Sequence, residues 1–116
     1  MSQQIDLPLF NRITGEIDIL VAVGKPFLTQ LVTWRLAMQQ HTETFNASQL
    51  GDLVHKMKGS CYVLAAMNVA AELEQAENGV TQMTQADWLP VYQRLLALTQ
   101  ELEMELKVII SRHGQS

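Results

Sequence analysis

A single histidine, His55, stands in the stretch 46–66, NASQLGDLVHKMKGSCYVLAA, whose apolar residues have the spacing of an amphipathic helix. At about 100° per residue, one side of such a helix collects Leu50, Leu53, Val54, Met57, Cys61 and Leu64. His55 falls nearly opposite this apolar stripe, on the side that the helix turns to solvent. An exposed imidazole is a nucleophile that is substantially neutral near physiological pH. The stretch therefore presents one reactive imidazole ring to solvent, on a helix whose opposite, apolar side is expected to be buried.

The residues around His55 indicate a surface that another molecule approaches. Asp52, Gly59 and Tyr62 share its side of the helix, at spacings of three, four and seven residues. Glycine inside a helix costs about 1 kcal/mol relative to alanine, so Gly59 indicates that close approach is needed there. Lys58 lies one turn from His55 and can bring a positive charge toward a group carried by the ring.

One segment of the chain reads His55-Lys56-Met57-Lys58-Gly59-Ser60-Cys61 and continues after two residues with Leu64-Ala65-Ala66. This order resembles the signature of histidine phosphotransfer (HPt) domains of multistep phosphorelays. That signature is roughly histidine, any residue, a hydrophobic residue, lysine, glycine and two small residues, and then hydrophobic-glycine-small. The helical layout of the whole chain is also compatible with the family. Two residues depart from the pattern: Ala65 stands at a usual glycine, and Tyr62 stands at a usual small residue. Both are expected on or near the docking surface, where they bear on partner choice.

The resemblance implies that His55 carries a phosphoryl group, by the family's habit on Nε2, between aspartates of receiver domains. It also implies that Lys58 stabilises the phosphoryl charge. The residues expected to bind the partner are Asp52, Gly59, Tyr62 and Ala66. The expected partners are response-regulator receiver domains, a hybrid sensor kinase, or both. No intrinsic cofactor is expected, and Mg²⁺ is expected on the partner receiver.

Because the family relies on kinases to make phosphohistidine, the chain is expected to be a phosphocarrier without ATP-dependent kinase activity of its own. Two other interpretations stay open: an HPt-like module that binds receivers or regulates a kinase without relaying phosphate, and a structural bundle with His55 incidental. The chain has no glycine-rich phosphate loop, so autonomous nucleotide binding is not expected. His41, His55 and His113 do not share metal-ligand spacing, so no metal site is expected.

The composition limits the class of protein further. A chain of 116 residues fits one domain with a single core. Its formal net charge of -4 argues against nucleic acid as the main partner. No apolar run approaches the length of a membrane span, so no direct membrane contact is expected. Cys61 is the only cysteine, which excludes an internal disulfide and favours a reducing compartment.

The expected location is the cytoplasm. The first ten residues, MSQQIDLPLF, lack the basic start and the apolar run of a signal peptide. They are compatible with a free-standing protein and with the cytosolic end of a membrane-bound hybrid kinase.

In the first half of the chain, a loose leader is expected over 1–8 and a short helix over 9–23, with a start after Gly15 as one option. Gly24 is expected to end this helix, and the proline at position 26 suits the first turn of the next helix, 25–45. That second helix carries a bundle seam of Phe27, Leu31, Trp34, Met38, His41 and Phe45.

The central helix is expected to begin after Asn46, which is a natural N-cap and forms a capping-box pattern with Gln49. The resemblance implies a break or kink near 65–68, which is favoured over the one continuous helix from 47 to 77 that propensity alone allows, and Asn78-Gly79 ends this region. The carboxylates of the segment before that end are expected to form a solvated face: Glu72, Glu74 and Glu77.

After a loop over 79–86, Asp87 is expected to cap the last helix, with Pro90 in its first turn and an end near Ser111. Its seam is Trp88, Val91, Leu95, Leu98, Leu102, Leu106 and Ile109. A frayed tail is expected over 113–116. Four substantial helices with short connections predict an all-α protein: an antiparallel four-helix bundle with a short additional N-terminal helix, spanning 9–112 and monomeric.

Overall fold

The computed structural model of the chain describes residues 4–13 and 17–113, and every regular element in these two ranges is helical. The α-helices are α1 (Leu7–Ile13), α2 (Ile17–Glu43), α3 (Ala47–Val63), α4 (Met67–Gly79) and α5 (Gln85–His113). A single 3₁₀ turn, Val80–Gln82, connects α4 to α5. The prediction of an all-α protein is confirmed for the described residues.

Four of the helices pack around one core: α2 against α3 and α5, and α4 against α3 and α5. Near the end of α2, the buried hydroxyl of Thr42 accepts a hydrogen bond of 2.8 Å from the indole N–H of Trp88, near the start of α5. Toward the other end of the same pair, Gly24 lies against the side chain of Leu106. The two long helices are therefore in contact near both of their ends.

The apolar residues predicted to face the core do so in α3, where all six residues of the stripe are buried. In α2, four of the six seam residues are buried, whereas His41 and Phe45 are only partly buried. In α5, Val91 and Leu98 are partly buried, and the fully inward positions are Trp88, Leu95, Leu102, Leu106 and Ile109. The helical spacing thus identifies most of the core directly.

The predicted helix break at Gly24 is wrong, because α2 continues through both Gly24 and Pro26. A Cβ added at position 24 would lie 2.9 Å from Leu106 Cδ1, so this glycine permits close approach of α5. Leu20, Gly24 and Phe27 lie on one face of a continuous helix, and all three are buried. Burial of that face outweighs the backbone hydrogen bond that a proline inside the helix removes. The alternative helix start after Gly15 lies outside the described residues.

The expectation of a loose leader is corrected for residues 4–8. Ile5 is only 1 % exposed, and its N–H donates to Glu105 Oε1 of α5 at 3.1 Å. The N–H of Asp6 donates to the carbonyl of Ala65 at 3.1 Å. These contacts attach the segment before α1 to the bundle, whereas residues 1–3 lie outside the described ranges. A single buried isoleucine carries too little periodicity to be recognised in the sequence.

The start and the end of the central helix agree with the prediction. Asn46 Oδ1 accepts a hydrogen bond of 3.1 Å from the N–H of Gln49, which confirms the N-cap. The break favoured near 65–68 is present at 64–66, because α3 ends at Val63 and α4 begins at Met67. Between them Ala65 has a φ of 57°, in the left-handed region that favours glycine.

The last helix begins earlier than predicted, and its N-cap is Thr84 rather than Asp87. Thr84 Oγ1 accepts from the N–H of Asp87, and Asp87 Oδ2 accepts from the N–H of Thr84, both at 3.1 Å. This reciprocal pair is a capping box, which moves Pro90 from the first to the second turn. The helix runs to His113, and the rest of the expected tail, 114–116, lies outside the described residues.

None of the helices in the described part of the chain is long and apolar enough to cross a membrane.

Candidate functional site

The predicted nucleophile, His55, lies on the outer side of α3 with its side chain 64 % exposed. The buried stripe of α3 packs against α2 and α4 behind it. Its ring is nevertheless held on one side, because Nδ1 lies 2.8 Å from Glu77 Oε2 of α4. The ring is therefore open to a partner and at the same time fixed by a neighbouring helix.

Glu77 joins two residues of α3. While its Oε2 contacts the His55 ring, its Oε1 accepts a hydrogen bond of 2.8 Å from Lys58 Nζ. The lysine side chain is only 16 % exposed and that of the glutamate 27 % exposed, so both lie largely in the seam between the helices. Three charged or titratable groups thus form one cluster across α3 and α4, which we call the His55–Lys58–Glu77 cluster.

The contacts of this cluster shift two pKa values in opposite directions. The hydrogen bond to Glu77 is the main cause that raises the pKa of the Lys58 ammonium above its usual value. The hydrogen bond from Lys58 is the main influence on Glu77, whose carboxyl pKa is lowered, with His55 adding to the effect. At neutral pH the glutamate is therefore an ionised carboxylate and the lysine a cation.

The charge of Glu77 determines where the neutral His55 ring carries its proton. An ionised carboxylate has no hydrogen to donate, so a hydrogen bond to it requires the proton on Nδ1. The lone pair of the neutral ring then lies on Nε2. Within the described residues Glu77 is the only hydrogen-bond partner of the ring. The arrangement can therefore offer Nε2 as a nucleophile to a molecule that approaches α3 from solvent.

Three of the four predicted partner-binding residues are exposed on α3 near His55. Asp52 and Gly59 are exposed, and Tyr62 is 39 % exposed. Among the described residues, a Cβ added at Gly59 would meet nothing within 4 Å, so no contact with them requires a glycine there. The fold thus places these residues where the prediction needs them, on open surface beside the ring.

The fourth residue, Ala66, is not part of that surface. It is 0 % exposed and caps α4, and its N–H donates to the carbonyl of Cys61 at 2.8 Å. Ala65, expected on or near the docking surface, is also completely buried. Both alanines belong to the short, buried connection between α3 and α4. The expectation that Ala66 contacts a partner is therefore corrected.

Sequence reasoning missed Glu77, which it assigned with Glu72 and Glu74 to a solvated face. The structure separates the three: Glu74 is exposed, Glu72 accepts from Arg94 of α5 at 3.0 Å, and Glu77 belongs to the cluster. A usable signal existed in the predicted break near residue 66. In a helical hairpin that turns there, positions 55 and 77 are equally distant from the turn and face each other.

Comparisons of the chain with protein-family models, with curated proteins and with solved structures found no match. The case for a function therefore depends on the residues of α3 and α4 and on their geometry.

Proposed function

We propose that the chain is a histidine phosphotransfer protein or domain, which relays a phosphoryl group between receiver-domain aspartates through His55. The observation that carries this proposal is the exposed His55 ring, bound to Glu77 through Nδ1. A phosphoryl carrier needs a nucleophile that is neutral, open to a second protein and able to release the group again. The exposure of the ring leaves Nε2 open to a second protein, and the chemistry of phosphohistidine allows the group to be released again.

The proposed step is a reversible displacement at phosphorus. The Nε2 lone pair of neutral His55 forms the new P–N bond, and the bond between phosphorus and the partner's aspartate oxygen breaks. The electron pair of that bond leaves with the aspartate as a carboxylate. The ring keeps its Nδ1 proton and becomes a cation, which the Glu77 carboxylate faces. Delivery to a second receiver is the reverse of this step, so protons and charge balance in both directions.

Positioning and charge neutralisation are the main demands of phosphoryl transfer. We assign Lys58 the neutralising charge and Asp52, Gly59 and Tyr62 the contact with the partner. In the structure Lys58 Nζ is bonded to Glu77, so a direct contact with the phosphoryl oxygens requires it to leave that carboxylate. In this proposal the chain brings no cofactor of its own, and Mg²⁺ belongs to the receiver domain.

The same proposal includes the architecture and the setting of the domain. We propose that α2 to α5 form an antiparallel four-helix bundle, with α1 as the short additional helix. The contact of Thr42 with Trp88 pairs the end of α2 with the start of α5, and the contact of Gly24 with Leu106 pairs the start of α2 with the end of α5. Both contacts support an antiparallel arrangement. We further propose a monomeric phosphocarrier in the cytoplasm, without ATP-dependent kinase activity, that serves receiver domains or a hybrid sensor kinase.

The test uses the wild-type chain, His55→Gln and a matched control, His41→Gln, which removes a partly buried histidine of α2. Each protein is incubated with receiver domains that carry a radiolabelled aspartyl phosphate. We expect acid-labile label on the wild type and on His41→Gln, and none on His55→Gln. Receiver binding without label transfer would instead identify a docking module that does not relay. Absence of both binding and transfer would favour a structural bundle.

A further inference from the structure

We infer that two copies of this chain pair weakly and reversibly through the outer face of α2, with the two helices antiparallel across a two-fold axis. The pairing goes beyond the proposed function, which concerns the chemistry of a single copy, and does not depend on it. The monomeric phosphocarrier proposed above is the form at low concentration, and the dimer forms as the concentration rises.

The outer face of α2 has the spacing of a helix-packing seam. Its residues lie alternately four and three positions apart, as in helices that pack along their length. This set, which we call the outer seam, consists of Lys25, Thr29, Val32, Leu36, Gln39 and Glu43. All six residues are exposed, and the two apolar ones, Val32 and Leu36, are 57 % and 56 % exposed. The helices in the described part of the chain therefore leave this seam open.

The surface between the two ends of the outer seam is uncharged. A helix face that meets only water usually includes charged residues. Between Lys25 and Glu43, however, every exposed residue of α2 is uncharged. The one charged residue in this interval, Arg35, has a side chain only 19 % exposed and bonded to Glu103 of α5. An uncharged strip about 27 Å long, with two exposed aliphatic side chains at its centre, suits contact with another protein surface.

The order of the residues along the outer seam identifies a second copy as the partner. From its start to its end the seam has a cation, a hydroxyl, two aliphatic side chains, an amide and an anion. A two-fold axis midway between Val32 and Leu36 pairs each position with its counterpart in the reversed helix. Val32 of each copy then lies against Leu36 of the other, and Thr29 lies against Gln39. The apolar pairs are central and the polar pairs flank them.

The ends of the outer seam are complementary in charge. Lys25 and Glu43 lie equally far from that axis, so antiparallel pairing brings each lysine to the glutamate of the other copy. Parallel pairing would instead place like charges together. Among the described residues Lys25 has no ion-pair partner, and the side chain of Glu43 accepts a hydrogen bond of 3.4 Å from uncharged Gln39. Both charges are therefore available to a second copy.

The proposed pairing leaves the candidate functional site free. Helix α3 packs on another side of α2, where Trp34 and Ser60 line a groove between the two helices. At about 100° per residue, Val32 projects about 160° away from Trp34 around α2. The His55 rings of both copies therefore stay open to solvent.

The size of the contact sets its expected strength. One helix from each copy supplies most of it, so the buried area is smaller than the roughly 1,600 Å² of a standard stable interface. Interfaces of that standard size have micromolar or tighter affinity. We therefore expect a dissociation constant of about 100 µM for the dimer.

The first test is sedimentation velocity of the whole chain from about 1 µM to about 1 mM. We expect dimer to accumulate with concentration in the wild type, and Val32→Lys to raise the dissociation constant at least about tenfold. The matched control is Val108→Lys, which adds the same charge at a valine of α5 that is 49 % exposed. Val108 projects about 140° away from Glu103, which contacts α2. This control should dimerise like the wild type.

Two results of this first test would overturn the inference. A wild type that stays monomeric over the whole range would leave the outer seam to a different partner. Equal weakening by Val32→Lys and Val108→Lys would show that added charge, not the seam, controls association. Circular dichroism of each variant checks that folded proteins are compared.

The second test addresses the antiparallel register. Lys25→Glu and Glu43→Lys should each weaken the dimer, because each places like charges together across the axis. An equimolar mixture of the two variants should recover wild-type association, since every end contact between the two different chains again joins opposite charges. The double variant, with both substitutions in one chain, should recover it as well. Failure of both the mixture and the double variant to recover would overturn the antiparallel pairing.

Discussion

Gly24 and Gly59 both lie in the interior of a helix, yet their surroundings are opposite. Gly24 of α2 is buried, and a Cβ added there would lie 2.9 Å from Leu106 Cδ1. Gly59 of α3 is exposed, and a Cβ added there would meet no atom of the described residues within 4 Å. Each glycine weakens its helix by about 1 kcal/mol relative to alanine, but only the first has a cause inside the molecule.

The difference separates a packing glycine from one with no packing role among the described residues, for which we propose clearance for a partner. The α2–α5 pair uses its glycine to bring two helices together, which benefits the isolated chain. The α3–α4 pair carries its glycine one turn from the exposed His55, where the isolated chain gains nothing from it. A cost without an internal benefit indicates a role toward another molecule. Enlarging the two glycines should therefore have opposite consequences for stability and for transfer.

The largest change in stability is expected for Gly24→Leu. The added side chain must enter the space that Leu106 and Ile110 occupy, and overpacking of this kind costs roughly 1 to 3 kcal/mol. Chemical denaturation should show a lower free energy of unfolding than in the wild type. Gly24→Ala adds a single methyl group at the same contact, and its free energy of unfolding should lie between those of the wild type and Gly24→Leu. A fully stable Gly24→Leu protein would mean that α5 does not pack closely there.

Gly59→Leu is expected to leave the free energy of unfolding unchanged or to raise it by up to about 1 kcal/mol, because leucine is the better helix former. The same substitution should strongly reduce transfer from a phosphorylated receiver domain, because its side chain projects beside His55. Acceptance from phosphoramidate should change much less, since a small donor needs less clearance. If the variant melts well below the wild type, Gly59 belongs to the core, and the surface assigned to docking is misplaced.

Tyr62 tests whether the exposed surface beside His55 contacts a partner. It is 39 % exposed on α3, and the loss of an aromatic contact at an interface often costs more than about 1 kcal/mol. Tyr62→Ala should therefore weaken binding to some receiver domains more than to others, as titration calorimetry can measure. Lys56→Ala is the control, because that residue is exposed but projects about 100° away from His55. If Tyr62→Ala and Lys56→Ala both changed the affinity for every receiver domain to the same extent, Tyr62 would have no role in selecting the partner.

The features of α3 are predicted well from the sequence, because its periodicity and its N-cap depend only on residues that are close together in the chain. The buried stripe, the Asn46 cap and the exposure of His55 and Gly59 all follow from the stretch itself. The break before α4 follows from a resemblance to known domains rather than from propensity, since the residues on both sides are good helix formers. The geometry of the connection, with Ala65 at a positive φ, was not foreseen.

Most of the features that sequence reasoning missed depend on contacts between distant segments. Gly24 looks like a helix end until the packing of α5 against it is known. Glu77 looks like one solvated carboxylate among three until the hairpin places it beside α3. Ala66 has the same sequence context whether it lies inside a connection or on a surface, and only the fold decides between them. The sequence therefore singles out His55, while the contact between His55 and Glu77 becomes visible only in three dimensions.

The smallest expected effect is the pH dependence of stability that the Lys58–Glu77 contact adds. The pKa of Glu77 is lowered in the folded chain, so this contribution is present above the ordinary carboxyl value of 4.5 and is lost as the pH falls below it. The pKa of Lys58 is raised, so its contribution is present below 10.5 and is lost as the pH rises through the higher folded value. The part of the stability difference between wild type and Glu77→Gln that this contact supplies should therefore be present between these limits and shrink beyond each.

The Glu72–Arg94 pair provides the control for this last prediction, because it joins α4 to α5 by one contact of 3.0 Å and its arginine is 61 % exposed. Exposed pairs of this kind contribute little to stability, since water and salt screen them. Urea titrations of Glu72→Gln over the same pH range should show a smaller difference from the wild type than those of Glu77→Gln. If the two variants behave alike, Glu77 is an ordinary surface carboxylate in the free protein. The contact between Glu77 and His55 would then affect only the histidine ring and would not stabilise the fold.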